Sequence, residues 1–127
     1  MLPRILAVDD DPVMRRLFRA LFPANLYQLV VFSDGQEAWE YLQNSQVDLV
    51  IADIAMPRMD GKELCEKIRG VPSLVSLPLI LLTGRLFDLT TEYVTRINVA
   101  AVVGKPFSPA ALKLLASNLT QPASVGA

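Results

Sequence analysis

Short, continuously apolar runs alternate along this chain with stretches in which apolar residues recur every three to four positions. Ile5 to Val8 predicts a buried strand. Asp11 suits the N-cap of the helix that follows, and Pro12 its first position, where a fixed φ and a missing N–H carry no penalty. Met14, Leu17, Phe18 and Leu21 recur at helical spacing, with Arg15, Arg16 and Arg19 largely on the other side. Tyr27 to Phe32 predicts a second strand, and Asp34-Gly35 a turn into a helix carrying Ala38, Tyr41 and Leu42. Leu49 to Ala52 predicts a third strand whose unbroken hydrophobicity implies that both faces are covered. A helix is expected over Gly61 to Arg69, with Leu64 and Ile68 one turn apart, stopping at Gly70 with Pro72 soon after. Leu79 to Leu82 predicts a fourth strand opened by Pro78. Leu86 to Ile97 is expected to be helical, although Thr90, Thr91, Val94 and Thr95 lower its propensity. Ala100 to Val103 predicts a fifth strand. Ser108-Pro109 then starts a last helix with Leu112, Leu115 and Leu119 on one face.

Five βα units in succession predict an α/β fold with a parallel sheet covered by helices on both sides. The 127 residues suit one domain, placed at 1–120, with 121–127 as a short flexible tail. A composition 52% hydrophobic and 20% charged fits a compact globule. Lysines and arginines number 12 against 13 aspartates and glutamates, so no bulk charge draws this chain to nucleic acid or to an anionic membrane. The apolar start is too short for a secretory signal and no run is long enough to span a bilayer, so a cytoplasmic location is expected. The single cysteine, Cys65, cannot form an intrachain disulfide and reads as a packed hydrophobe. The absence of histidine removes Ser-His-Asp and Cys-His nucleophiles and imidazole metal ligands. Any chemistry falls to carboxylates, hydroxyls and lysine.

Those groups gather where parallel strands end. Asp9 and Asp10 follow the first strand, Asp53 the third, Thr83 the fourth and Lys105 the fifth, and the carboxyl edge of such a sheet is where ligands sit. Three carboxylates at close range repel unless a cation intervenes. A hard divalent ion such as Mg²⁺ takes oxygen ligands. An ammonium and a hydroxyl beside such a metal are what a phosphoryl group needs around its oxygens during in-line transfer.

The motifs Leu-Ala-Val-Asp9-Asp10-Asp11-Pro12, Asp53-Ile-Ala-Met56-Pro57-Arg-Met59-Asp60-Gly61, Leu-Leu-Thr83-Gly84 and Lys105-Pro106-Phe107 occur in one order and spacing. In this the chain resembles the receiver domain of a two-component response regulator, from about Pro3 to Asn118. The resemblance implies a flavodoxin-like doubly wound sheet of order 2-1-3-4-5 and a regulatory phosphoacceptor rather than an enzyme, one that assists its own phosphorylation and dephosphorylation. It implies that Asp53 takes a phosphoryl group from the phosphohistidine of a sensor histidine kinase or phosphotransfer protein. Mg²⁺ would be held by Asp10, Asp53 and the carbonyl of Ala55, with Asp9 behind these ligands or reaching the metal through water. Thr83, Gly84 and Lys105 would receive the phosphoryl oxygens, and Pro106 would follow a cis peptide. An output partner, and a homodimer formed on phosphorylation, are further implications.

Two positions depart from the family. Val102 stands where an aromatic switch residue is usual, and the helix from Leu86 to Ile97 is richer in apolar and β-branched residues. A haloacid-dehalogenase-type phosphatase also starts from an Asp-x-Asp pair, here Asp9 and Asp11, but needs acidic ligands after its lysine, and none follows Lys105. An atypical receiver that acts as a phosphorylation-independent binding module is the alternative that Val102 keeps open.

Overall fold

A computed structural model describes residues 1–85 and 88–120. Strands β1 (Arg4–Val8), β2 (Gln28–Phe32), β3 (Leu49–Asp53), β4 (Leu79–Thr83) and β5 (Ala101–Gly104) alternate with helices α1 (Pro12–Leu21), α2 (Gly35–Leu42), α3 (Gly61–Arg69), α4 (Thr91–Ile97) and α5 (Pro109–Thr120). All strand pairs are parallel, in the order β2-β1-β3-β4-β5. This is the flavodoxin-like arrangement expected. β3 is central and its five residues are all buried, as an apolar run without alternation requires.

The period of two along each strand sorts the core into two layers. Leu6, Val8, Val50, Ala52, Leu79 and Leu81 face the side closed by α2, α3 and α4. Ile5, Ala7, Leu49, Ile51, Ile80 and Leu82 face the side closed by α1 and α5, where Phe18, Phe22 and Leu112 are buried against them.

Helix starts follow the capping residues. Asp11 accepts from the Val13 amide with Pro12 at the first position, and Asp34 accepts from the Glu37 amide. Asp60 and Glu63 form a reciprocal capping box. Ser108 accepts from the Ala111 amide at 3.2 Å.

The expected helix from Leu86 is shorter than the sequence predicts. α4 begins at Thr91 because the Thr90 hydroxyl accepts from the Tyr93 amide at 3.0 Å and fixes the N-cap there. Residues 88–90 are not α-helical, and 86–87 lie outside the described residues, as does the expected tail at 121–127. The sequence also gives no warning of the 3₁₀ turn Pro72–Leu74. Among the described residues no helix is long and apolar enough to cross a membrane.

Candidate phosphoryl and metal site

Asp53 is the last residue of β3, and the register sets it opposite Leu82, one residue before Thr83, which pairs with Gly104. The next residue after Gly104 is Lys105, joined to Pro106 by a cis peptide. Asp9 leaves β1 with its amide bonded to the Phe32 carbonyl at 3.2 Å. Four strands thus deliver their terminal residues to one edge.

At that edge the Lys105 ammonium lies 3.0 Å from Asp9 Oδ2 and 3.0 Å from Asp53 Oδ1. Asp9 is fully buried, and its Oδ1 accepts from the Asp11 amide at 2.9 Å, so both of its oxygens are engaged. Asp10 is exposed, and one carboxylate oxygen from each of Asp9, Asp10 and Asp53 lies within 4.8 Å of the others. Burial pushes the Asp53 carboxyl above its ordinary range; the hydrogen bond from Lys105 opposes this, and the charges of Asp9 and Asp10 reinforce it. Burial also works against the charge on Lys105, but its hydrogen bonds to Asp53 and Asp9 outweigh that and hold the ammonium above its usual value.

Lys105 compensates one of the three carboxylates, which leaves a negative, oxygen-only donor set at the mouth of the site. That set fits a hard divalent cation, which would use exposed Asp10 and the Asp53 carboxylate.

The loop after β3 is held on three sides. A Cβ added to Gly61 would come 2.4 Å from the Asp53 carbonyl oxygen, and one added to Gly35 would come 2.1 Å from that of Met59, so both contacts require glycine. Arg58, at φ 65°, donates to Asp34 Oδ2 through Nη2 at 2.7 Å and Nε at 3.2 Å. Ala55 is exposed on this loop, beside a shallow cavity of about 580 Å³ lined by Asp10, Ile54, Met56, Pro57 and Asp60.

Thr83 is buried at the end of β4, but its hydroxyl is turned to the next loop. It donates to the Arg85 carbonyl at 3.0 Å and accepts from the Arg85 amide at 2.9 Å. To donate to a group on Asp53 it would have to give up its bond to the Arg85 carbonyl. Gly84 is exposed, and a Cβ built there would meet nothing within 4 Å.

Sequence reasoning sets Arg15 on the solvated side of α1. In the fold its Nη1 donates to the Asp9 carbonyl at 2.9 Å, bracing the backbone of a site residue. The one available signal is position: Arg15 lies in the first turn of the helix that starts directly after Asp9.

The family model described as the response regulator receiver domain matches residues 5–117. This chain belongs to that family. Response regulator MprA of Mycobacterium leprae is 36% identical to this receiver over 107 residues, 83% of this chain and 45% of that protein. MprA of Mycobacterium tuberculosis matches to the same extent. The chain therefore spans less than half the length of these curated relatives. Among solved structures, the chemotaxis response regulator CheY4 of Vibrio cholerae superposes with a TM-score of 0.82 at 25% identity, covering 94% of this chain and 99% of that one. The signal receiver domain of a histidine kinase from Syntrophus aciditrophicus gives 0.76 at 30% identity, with 98% of each chain covered. This receiver is thus a regulatory domain of two-component signalling.

Proposed function

We propose that this receiver accepts a phosphoryl group on Asp53 from the phosphohistidine of a sensor histidine kinase or phosphotransfer protein. The observation that carries the proposal is the Lys105 ammonium held 3.0 Å from both Asp9 and Asp53 at the mouth of an acidic cluster. An Asp53 oxygen attacks phosphorus, the P–N bond breaks, and its electron pair leaves on the imidazole, so that Asp53 carries an acyl phosphate.

Lys105 has two partners. It can exchange Asp53 Oδ1 for a phosphoryl oxygen while Asp9 keeps it in place. The Thr83 hydroxyl rotates from the Arg85 carbonyl to donate to a second phosphoryl oxygen, and Gly84 leaves that approach open. Asp10, Asp53 and the Ala55 carbonyl would hold Mg²⁺. Asp9 would orient it through water, since its own oxygens are already engaged. When bound, the ion offsets the negative charge of the carboxylates and of the incoming phosphoryl group. The domain regulates rather than turns over substrate, although it supplies the groups for its own phosphorylation and dephosphorylation.

Phosphorylation shifts a two-state equilibrium that an output partner or a second copy of the chain reads. Near-balanced charge argues against nucleic acid binding by this chain itself.

Incubation with acetyl phosphate and Mg²⁺, followed by intact mass measurement, tests the proposal. The wild type should gain one phosphoryl group, and neither Asp53→Asn nor the wild type in EDTA should. No gain in any sample favours the phosphorylation-independent binding module, which the engagement of Thr83 with Arg85 and the short side chain of Val102 would suit.

A further inference from the structure

Helix α4 is joined to α3 at both of its ends. At its start, Tyr93 is buried and its hydroxyl donates to the Lys62 carbonyl at 3.0 Å. The ring carries Lys62 Nζ 4.9 Å from its centroid and the Arg96 guanidinium 5.5 Å from it. Burial pushes the phenol up, so it stays a donor throughout the neutral range. At its far end, Arg69 of α3 donates through Nε to the Ile97 carbonyl at 2.6 Å and through Nη2 to the Asn98 carbonyl at 3.0 Å.

The first turn of α3 is in turn part of the phosphoacceptor loop. The Gly61 amide donates to the Ile54 carbonyl at 2.9 Å, and Gly61 lies so close to the Asp53 carbonyl that no Cβ fits between them. Lys62, whose carbonyl Tyr93 holds, is the next residue. The path from Asp53 to α4 is therefore a close backbone contact, one residue of chain and one hydrogen bond. Packed, hydrogen-bonded elements of this kind respond by discrete rearrangement rather than by gradual bending.

We propose that Tyr93 transmits the state of Asp53 to α4 through its hydrogen bond to the Lys62 carbonyl, so that the signal leaves the site along α3. This rests on the phosphoacceptor reading above. Val102 on β5 packs partly buried against the same side of the sheet and has no hydroxyl and few rotamers with which to share this role.

Amide NMR of the full chain with Mg²⁺ and beryllofluoride, a phosphoryl mimic, separates the steps. In the wild type, amides near Asp53 and Thr83 and those of α4 should both shift. Tyr93→Phe removes one oxygen and keeps the ring. It should leave the shifts at Asp53 and Thr83 intact and reduce those in α4 by up to about five-fold, the change that losing one hydrogen bond makes in a two-state equilibrium constant. Lys62→Ala keeps the carbonyl and removes only the cation over the ring, so it should behave as wild type.

Equal α4 shifts in Tyr93→Phe and wild type would overturn the proposal. So would a loss in Lys62→Ala as large as in Tyr93→Phe, since packing and not the hydroxyl would then be responsible. Fluorotyrosine labelling of the wild type gives a second readout, since the chain has 3 tyrosines and the resonance missing from Tyr93→Phe identifies the one concerned. A Tyr93 resonance that stays fixed while Asp53 responds also overturns it. If the wild-type amides at Asp53 and Thr83 ignore the probe, the phosphoacceptor reading fails first and takes this inference with it.

Discussion

Replacing Asp53 by asparagine should stabilise the metal-free protein. Asp9 and Asp10 have oxygens within 4.8 Å of Asp53, and each opposes its charge by about 3–4 kcal/mol at an effective dielectric of about 20. Lys105, 3.0 Å away, favours that charge by about 5–6 kcal/mol on the same scale. The repulsions prevail by about 1–2 kcal/mol, and burial acts in the same direction. Asparagine keeps the shape and removes the charge, while Lys105 retains Asp9. Thermal unfolding in EDTA at pH 7 should therefore show Asp53→Asn melting about 5 °C above wild type.

The sign of the pH dependence follows from the raised carboxyl. A raised native value means that the favourable contribution is present below the unfolded carboxylate value of about 4 and is lost as pH rises through the native one. The gap between variant and wild type should accordingly close on acidification. Mg²⁺ at about a hundred times its Kd should add about 2.7 kcal/mol to the wild type and less to the variant, which reverses their order. A variant that melts at or below wild type in EDTA at neutral pH would refute the electrostatic account.

Three further outcomes are expected. Gly35→Ala drives a Cβ into the Met59 carbonyl oxygen, 2.1 Å away, and should cost about 1–3 kcal/mol in denaturant unfolding and slow phosphorylation by acetyl phosphate; unchanged behaviour on both counts would mean that the loop moves freely. Cys65 is buried with its thiol pushed up to about 12, so a thiol reagent at pH 8 should label it only after denaturant is added, as absorbance or mass would report. Ala55 offers no side chain to orient water and the Arg85 cation, next in the chain after Gly84, can shield the phosphate, so phosphorylated protein followed by mass should decay slowly to moderately; a lifetime of seconds would contradict this.

The sheet and the clustering of acids and lysine at its edge are legible in sequence because both depend on short-range pattern. An apolar run that ends in a charged residue marks a strand end, and parallel topology brings strand ends together whatever their separation in the chain. The start of α4 is not legible, since Thr90 reads as a weak helix former until its hydroxyl is seen capping the Tyr93 amide. Arg15 and Tyr93 are missed for a related reason. An arginine between apolar helix positions and a tyrosine in a β-branched helix carry the pattern of a solvated face and of ordinary packing. Their partners are backbone carbonyls, of Asp9 and of Lys62, and carbonyls leave no mark in a sequence. The turning of the Thr83 hydroxyl to Arg85 is hidden in the same way, because the residue type fixes the donor but not its direction.

The bond between Lys105 and Asp9 joins residues 96 positions apart, and Lys105 directly follows the last strand, at the rim of the sheet. The acidic cluster therefore gains its cation only once the final strand has docked. A molecule nascent or nicked before β5 would carry Asp53 without the ammonium beside it, so on the proposed reading competence to accept a phosphoryl group would depend on the sheet being complete.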